Sequence, residues 1–204
     1  MPWKPDYATV GELRSYKRID KTIDDVELGL AISSASRTID TATGRQFGNT
    51  GGTQTRTYRV QWNCEEGLWV AVIDDVMTLT GFVVTVDGAP VAGADYELRP
   101  LNADLDGEPW WQLYLERATS PTLGRGPGRV AVTATFGWTA VPTTIHEACM
   151  LQASKFFVDR TMPHGIAGSP ELGNEMRLLD KLHPDAELMI RNYMRSDAMV
   201  GGIG

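Results

Sequence analysis

GRVAVTATFGWTAVPTTIHEACMLQASKFFVDR, residues 128–160, is the stretch that decides the fold. Residues 129–136 alternate apolar and polar side chains, the two-residue period of a strand with one buried face. Gly137-Trp138 then makes a corner, and Pro142 sits where its missing N–H does no harm, at the opening of a helix. In that helix Ile145, Ala148, Cys149, Ala153, Phe156 and Phe157 lie on one broad side, and Met150 and Leu151 make the opposite side apolar too. A helix that is apolar nearly all round belongs in the middle of a bundle or at a subunit contact. The segment marks the return of a β-rich insert to a helical bundle.

Upstream, residues 48–137 read as extended chain. Gly48-Asn49-Thr50-Gly51-Gly52 is a flexible loop leading into it. Residues 53–61, 68–73, 76–86, 96–100, 112–116 and 129–136 are rich in β-branched and aromatic side chains with period-two alternation. Asp87-Gly88 is a tight-turn dipeptide, and Asp74-Asp75 reads as a solvated junction between two strands. Short strands at this spacing predict a small antiparallel sandwich or barrel.

The chain begins with helices. Thr9 and Glu12 form a capping box that predicts a helix over residues 10–17, followed by a turn at Ile19-Asp20. Thr22 and Asp25 make a second, weaker box before a helix running to about Thr43, with Leu28, Ile32, Ala35, Ile39 and Ala42 on one face. Gly44 supplies the left-handed stop. Ser33, Ser34, Ser36 and Thr38 suit the close approach of a neighbouring helix. After residue 160, residues 161–169 read as a mobile loop. Pro170 opens a short helix to about Leu182, and Pro184 opens another that runs to Arg195. Residues 199–204 are expected to be a disordered or partner-ordered tail.

The predicted class is α+β, a helical bundle with helices at both ends of the chain and an inserted antiparallel β-sandwich or barrel-like subdomain. The expected boundaries are 1–47 for the first helices, 48–139 for the insert, 140–196 for the last helices and 197–204 for the tail. With 204 residues and 42% hydrophobic content, the composition fits one elaborated domain. No run is long and apolar enough to span a bilayer, and MPWKPDYATV lacks a signal-peptide pattern, so synthesis in the cytoplasm and no membrane partner are expected. Cys64 and Cys149, far apart, read as free thiols. A formal charge of −7 argues against a protein that grips duplex DNA, yet it suits a passage through which DNA slides without sticking.

The order of elements resembles a known family. A helix, the Ile19-Asp20 turn, a long helix and Thr43-Gly44-Arg45-Gln46-Phe47 precede the β-rich insert; Phe136-Gly137-Trp138, Val141-Pro142, Ile145, Ala148 and an aromatic-rich helix follow it. Val86-Asp87-Gly88 with Asp95-Tyr96-Glu97-Leu98, and the closing Asn192-Tyr193-Met194-Arg195, extend the pattern. Together these are similar to the head-tail connector (adaptor, or head-completion) proteins of tailed bacteriophages. The resemblance implies a virion protein with no catalytic activity or cofactor, forming a ring, commonly a dodecamer, beneath the portal. Its partners would be copies of itself, the portal protein, and a stopper or tail-completion protein, with the genome passing through the lumen. Portal docking would fall to the terminal helix and tail, at Arg191, Tyr193, Met194, Arg195, Met199, Val200 and Ile203. A ring needs one heterologous interface repeated about an axis, and a tail that orders on its partner makes a latch.

Chemistry-bearing patterns have plainer readings. Residues 102–107, Asn102-Ala-Asp-Leu-Asp-Gly107, imitate the first half of a calcium loop, but the twelfth position is Leu113 rather than Glu, so a solvated hairpin turn is expected. His146 and Cys149 are spaced to meet on a helix, without an evident orienting group; a packed thiol beside a surface histidine is the reading. His164 and His183 lack metal-ligand spacing. Residues 125–129, RGPGR, lack the Lys-Ser/Thr of a phosphate loop. Trp62, Trp69, Trp110 and Trp111 leave one alternative function open, an aromatic β module that binds a glycan or protein on a helical scaffold.

Overall fold

The computed structural model describes residues 3–19, 25–116, 129–161, 166–167, 176–177 and 182–195. The chain divides into a helical unit, Pro5–Arg45 with Val141–Gly204, and a β unit, Met1–Lys4 with Gln46–Ala140.

In the helical unit, Thr9 caps α1 (Val10–Lys17) reciprocally. Its hydroxyl accepts from the Glu12 N–H at 3.3 Å, and the Glu12 carboxylate accepts from the Thr9 N–H at 2.7 Å. Two of the helix's orphan donors are thereby satisfied, as the capping pattern requires. α2 (Asp25–Thr43) buries Leu28, Ile32, Ala35 and Ile39 of the expected stripe, leaves Ala42 half-buried, and widens the stripe with Ala31 and Ser36. Gly44 ends it at φ +66°, its N–H donating to the Asp40 carbonyl. Thr22, the proposed cap, lies outside the described residues.

α4 (Thr143–Thr161) packs against α2 and α5 (Pro184–Ile190). Ile145, Ala148, Cys149, Met150 and Ala153 are all buried, so the helix is covered on more than one side, as its composition requires. Of the small residues expected at a helix contact, only Ser36 is there, 3.4 Å from the Cys149 sulfur; Ser34 is exposed and Ser33 bonds Asp6. The residues before α1 are strapped to α2. Tyr7, 3% exposed, donates its N–H to Ser36 Oγ and its hydroxyl to Asp40.

The β unit holds β1 (Gln54–Arg59), β2 (Gln61–Asn63), β3 (Leu68–Val76), β4 (Val83–Val86) and β5 (Ala89–Pro90). β6 (Tyr96–Arg99), α3 (Ala103–Asp106), β7 (Trp110–Leu115) and β8 (Arg129–Ala134) complete it. They form two four-stranded sheets in the orders β1-β8-β4-β5 and β2-β3-β7-β6, antiparallel throughout. One face of each enters a common core: Ala71, Ile73, Leu113 and Leu115 from one sheet, Val84, Val86, Val130, Val132 and Ala134 from the other. The arrangement is a sandwich. Among the described residues the sheets do not close into a barrel.

Several boundaries differ from the sequence reading, and the expected strand over residues 53–61 divides after Arg59 into β1 and β2, which lie in different sheets. The expected strand over residues 76–86 is interrupted: Val76 ends β3, residues 77–82 leave the sheet, and Gly81 at φ +74° turns the chain into β4. The Asp74-Asp75 junction is no junction, since both residues lie inside β3. Asp87 (φ 50°) and Gly88 (φ 82°) form the expected hairpin turn, with the two positive φ angles that a type I′ turn requires.

After α4, the two-residue strands β9 (Ile166–Ala167) and β10 (Met176–Arg177) pair antiparallel. The expected helix over residues 170–182 is corrected at Met176 and Arg177; Gly173 and Asn174, poor helix formers, sit inside that run. The rest of it, like the loop around His164, lies outside the described residues.

Candidate functional site

The Gly-Trp corner is the most tightly built point of the β unit. Asp75, 2% exposed, accepts from the Trp138 indole N–H at 2.9 Å, and its carbonyl accepts from the Gly137 N–H at 2.6 Å. Trp138 N–H donates to the Gly48 carbonyl at 2.8 Å, and the Asn49 amide donates back to the Trp138 carbonyl at 3.1 Å. The Phe47 ring lies 5.2 Å from that of Trp138. Both segments by which the chain enters and leaves the unit are thus tied to the end of β3. A buried carboxylate is tolerated here because its Oδ2 and its backbone carbonyl each have a donor. The sequence alone reads Asp75 as solvated; the signal against that is its place two residues after Ile73, which puts it on the same strand face as that buried residue.

Asp74 points the other way and accepts from Arg56 and from the Tyr58 hydroxyl, each at 2.7 Å. Burial, then the Asp74 carboxylate, pushes the Tyr58 phenol above its ordinary range. The Arg56 guanidinium lies 4.3 Å from the Trp3 ring and 4.6 Å from that of Phe136. These groups satisfy one another and present no nucleophile.

The helical candidates are likewise engaged. Cys149 is fully buried against Ser36, and burial pushes its thiol up to about 11, so it holds its proton at neutral pH. His146 faces Glu12 at 3.5 Å instead of the thiol, so the spacing does not produce a dyad. Glu12 is held below its ordinary carboxylate range, chiefly by the Thr9 hydroxyl, then by the Thr9 N–H and His146, with burial opposing. His183 caps α5, its Nδ1 accepting from the Asp185 N–H at 3.2 Å.

The calcium-like stretch folds differently from both a cation loop and a plain hairpin turn. Residues 103–106 form the helical turn α3, with Ala103 fully buried beneath it and Gly107 at φ +68°. Buried Ala103 anchors the turn, and that apolar anchor was hidden among the acids. No group of three or more potential metal-binding side chains occurs among the described residues. Of the tryptophans, Trp69 and Trp110 pack on the core, and Trp62 pairs across the strands with Trp69, edge to face at 5.1 Å. All four, Trp111 included, are half-buried. The RGPGR residues 125–128 lie outside the described residues.

The residues expected to dock a partner follow α5. Arg191 is exposed, Tyr193 and Arg195 are half-buried and Met194 is 38% exposed. The Tyr193 carbonyl accepts from Arg45 Nε at 2.8 Å, and the Arg195 N–H donates to the Thr43 carbonyl at 3.1 Å, satisfying an orphan acceptor at the end of α2. Tyr193 and Arg195 are therefore brought to the end of α2 through the main chain. Met199, Val200 and Ile203 lie outside the described residues. No described helix is long and apolar enough to cross a membrane.

No protein-family model matches the sequence, and no curated protein matches it. Solved structures of gene transfer agent particles share its fold. A chain from the neck of an empty GTA particle, computed with C6 symmetry, is 19% identical with a TM-score of 0.52, over 91% of this chain and 88% of that one. A chain from the virion of a native gene transfer agent (GTA) particle is 18% identical with a TM-score of 0.50, over 95% and 93%.

Proposed function

We propose that this chain is a structural component of a virion neck, a head-to-tail adaptor that forms a ring beneath the portal and leaves a passage for the genome. The observation that carries the reading is a fold shared with a neck chain over about nine-tenths of both molecules, helical unit and β sandwich together. A structural role fits the surroundings of Cys149, packed against Ser36, and of Asp74 and Asp75, which accept hydrogen bonds from Arg56 and Trp138 respectively. A charge of −7 suits a lumen that DNA traverses without sequence-specific binding.

In this reading the end of α5 and residues 191–203 dock on the portal, and a stopper or tail-completion protein covers the opposite face of the ring. Arg191, Tyr193, Met194 and Arg195 are the described part of that docking surface. The test is to incubate the purified chain with a cognate portal ring and measure mass and symmetry by native mass spectrometry and electron-microscope class averages. A discrete portal complex carrying a ring of this chain is the expected result. A monomer that ignores the portal would overturn the adaptor reading. Deleting residues 199–204 should impair docking with the fold intact.

A further inference from the structure

Two surfaces of the β unit are complementary and lie on different sheets. The outer face of the sheet β1-β8-β4-β5 is almost free of charge. Its cross-strand rows are Thr55, Thr133 and Val83, then Thr57, Ala131 and Thr85, and Val83 is 43% exposed. One end of this face carries Arg59 directly opposite Arg129. Both are exposed, and neither forms an ion pair with a carboxylate among the described residues. Like charges directly opposite on neighbouring strands repel, so a further carboxylate brought against this row is favourable. Asp87, in the adjoining turn, is the nearest acid in register. Depletion of charge over a face with an arginine at its margin is the composition of an interface core.

The second surface is the knob formed by residues 100–108 between β6 and β7. Leu101 is 66% exposed and Leu105 84%, the largest exposure among the big apolar side chains of the described residues. The knob is rigid: Ala103 is fully buried, the Asp106 N–H donates to the Asn102 carbonyl at 3.0 Å, and the Glu108 N–H donates to the Ala103 carbonyl at 2.8 Å. Asp104, Asp106 and Glu108 surround the two leucines, all exposed. Two leucines held in water on a preorganised turn lose little further entropy on docking.

We infer that the leucine knob of one copy docks on the threonine-valine sheet face of a second copy, with Asp104, Asp106 and Glu108 neutralising Arg59 and Arg129. The occupant follows from charge and geometry. The knob hangs from one sheet and the receiving face is the outside of the other, with the sandwich core between them, so a copy cannot satisfy its own surfaces. Each copy offers a knob to one neighbour and a face to the next, a heterologous contact that propagates head to tail. That this series of contacts closes rests on the ring reading above.

The test uses the full chain, alone and with a portal ring. Arg59→Glu with Arg129→Glu, and separately Asp104→Lys with Asp106→Lys, should each weaken self-association by at least about tenfold, and the chain carrying all four should recover it. In parallel, Val83→Cys with Leu105→Cys, in a Cys64→Ser background, is treated with a short bismaleimide; a ladder of cross-linked copies is expected. Rings that form normally in both charge-reversed pairs, with no ladder, overturn the interface and leave the ring reading standing. A ladder from a chain that forms no ring supports the interface and removes the ring. No ladder and no self-association overturn both.

Discussion

Gly137→Ala probes the crossing that closes the β unit. Gly137 has φ +102°, a conformation that costs an L-residue about 1–2 kcal/mol. An added Cβ would lie 2.8 Å from the Asn49 Cα and 2.9 Å from the Gly48 carbonyl carbon, and closer still to the Gly48 oxygen. Carbon atoms pack best at about 3.5–4.0 Å, so the facing backbone must retreat, and overpacking of this kind costs about 1–3 kcal/mol. Retreat also stretches the Trp138 to Gly48 and Thr50 to Phe136 backbone bonds, at 2.8 and 3.0 Å. Each is worth about 0.5–1.5 kcal/mol net. The lower ends of these ranges already imply a loss of about 3 kcal/mol. Urea unfolding followed by near-ultraviolet circular dichroism measures it, and hydrogen exchange assigns it to β3 and β8, since two units can unfold separately. Gly11→Ala is the counterpart: its Cβ meets nothing within 4 Å in α1, so stability should rise by about 0.4–1 kcal/mol. A Gly137→Ala chain within about 1 kcal/mol of the parent would refute the steric argument.

Asp75→Ala should cost about 1–3 kcal/mol by leaving the buried Trp138 indole without its acceptor, whereas Asp75→Asn, which keeps an oxygen there, should recover much of it in the same urea titration. Thr9→Ala should destabilise α1 by about 1 kcal/mol and, in an NMR titration, raise the Glu12 pKa towards the ordinary carboxylate value. The sign follows from the lowered folded pKa: the stabilisation from ionised Glu12 is present above the unfolded pKa and is lost as pH falls through the folded one. With a thiol reagent at pH 8, Cys64 should react in the native protein and Cys149 only on unfolding, read as one fast and one slow label by mass spectrometry; equal rates would contradict the burial of Cys149.

What the sequence determined by itself is local. The Thr9 and Glu12 box, the Leu28 to Ile39 stripe, the Asp87-Gly88 turn and the all-round apolar helix after Pro142 each express a short-range rule: a cap, a helical period, a positive φ, a burial demand. These sufficed for the α+β class and for a β insert between helices. Tertiary structure alone decided what partners each polar group meets. Asp74 and Asp75 are adjacent, yet the strand alternation sends one to Arg56 and Tyr58 and the other into the core beneath Trp138, 63 residues away. His146 and Cys149 have the spacing of a pair, but packing turns one towards α1 and the other towards α2. The opposition of Arg59 and Arg129, and the outward leucines of the knob, exist only through strand register and through Ala103, whose burial turns an acidic loop into a rigid projection. Period and turn chemistry act over a few residues, whereas electrostatic partnership and exposed complementarity arise from segments that meet only when the chain has folded.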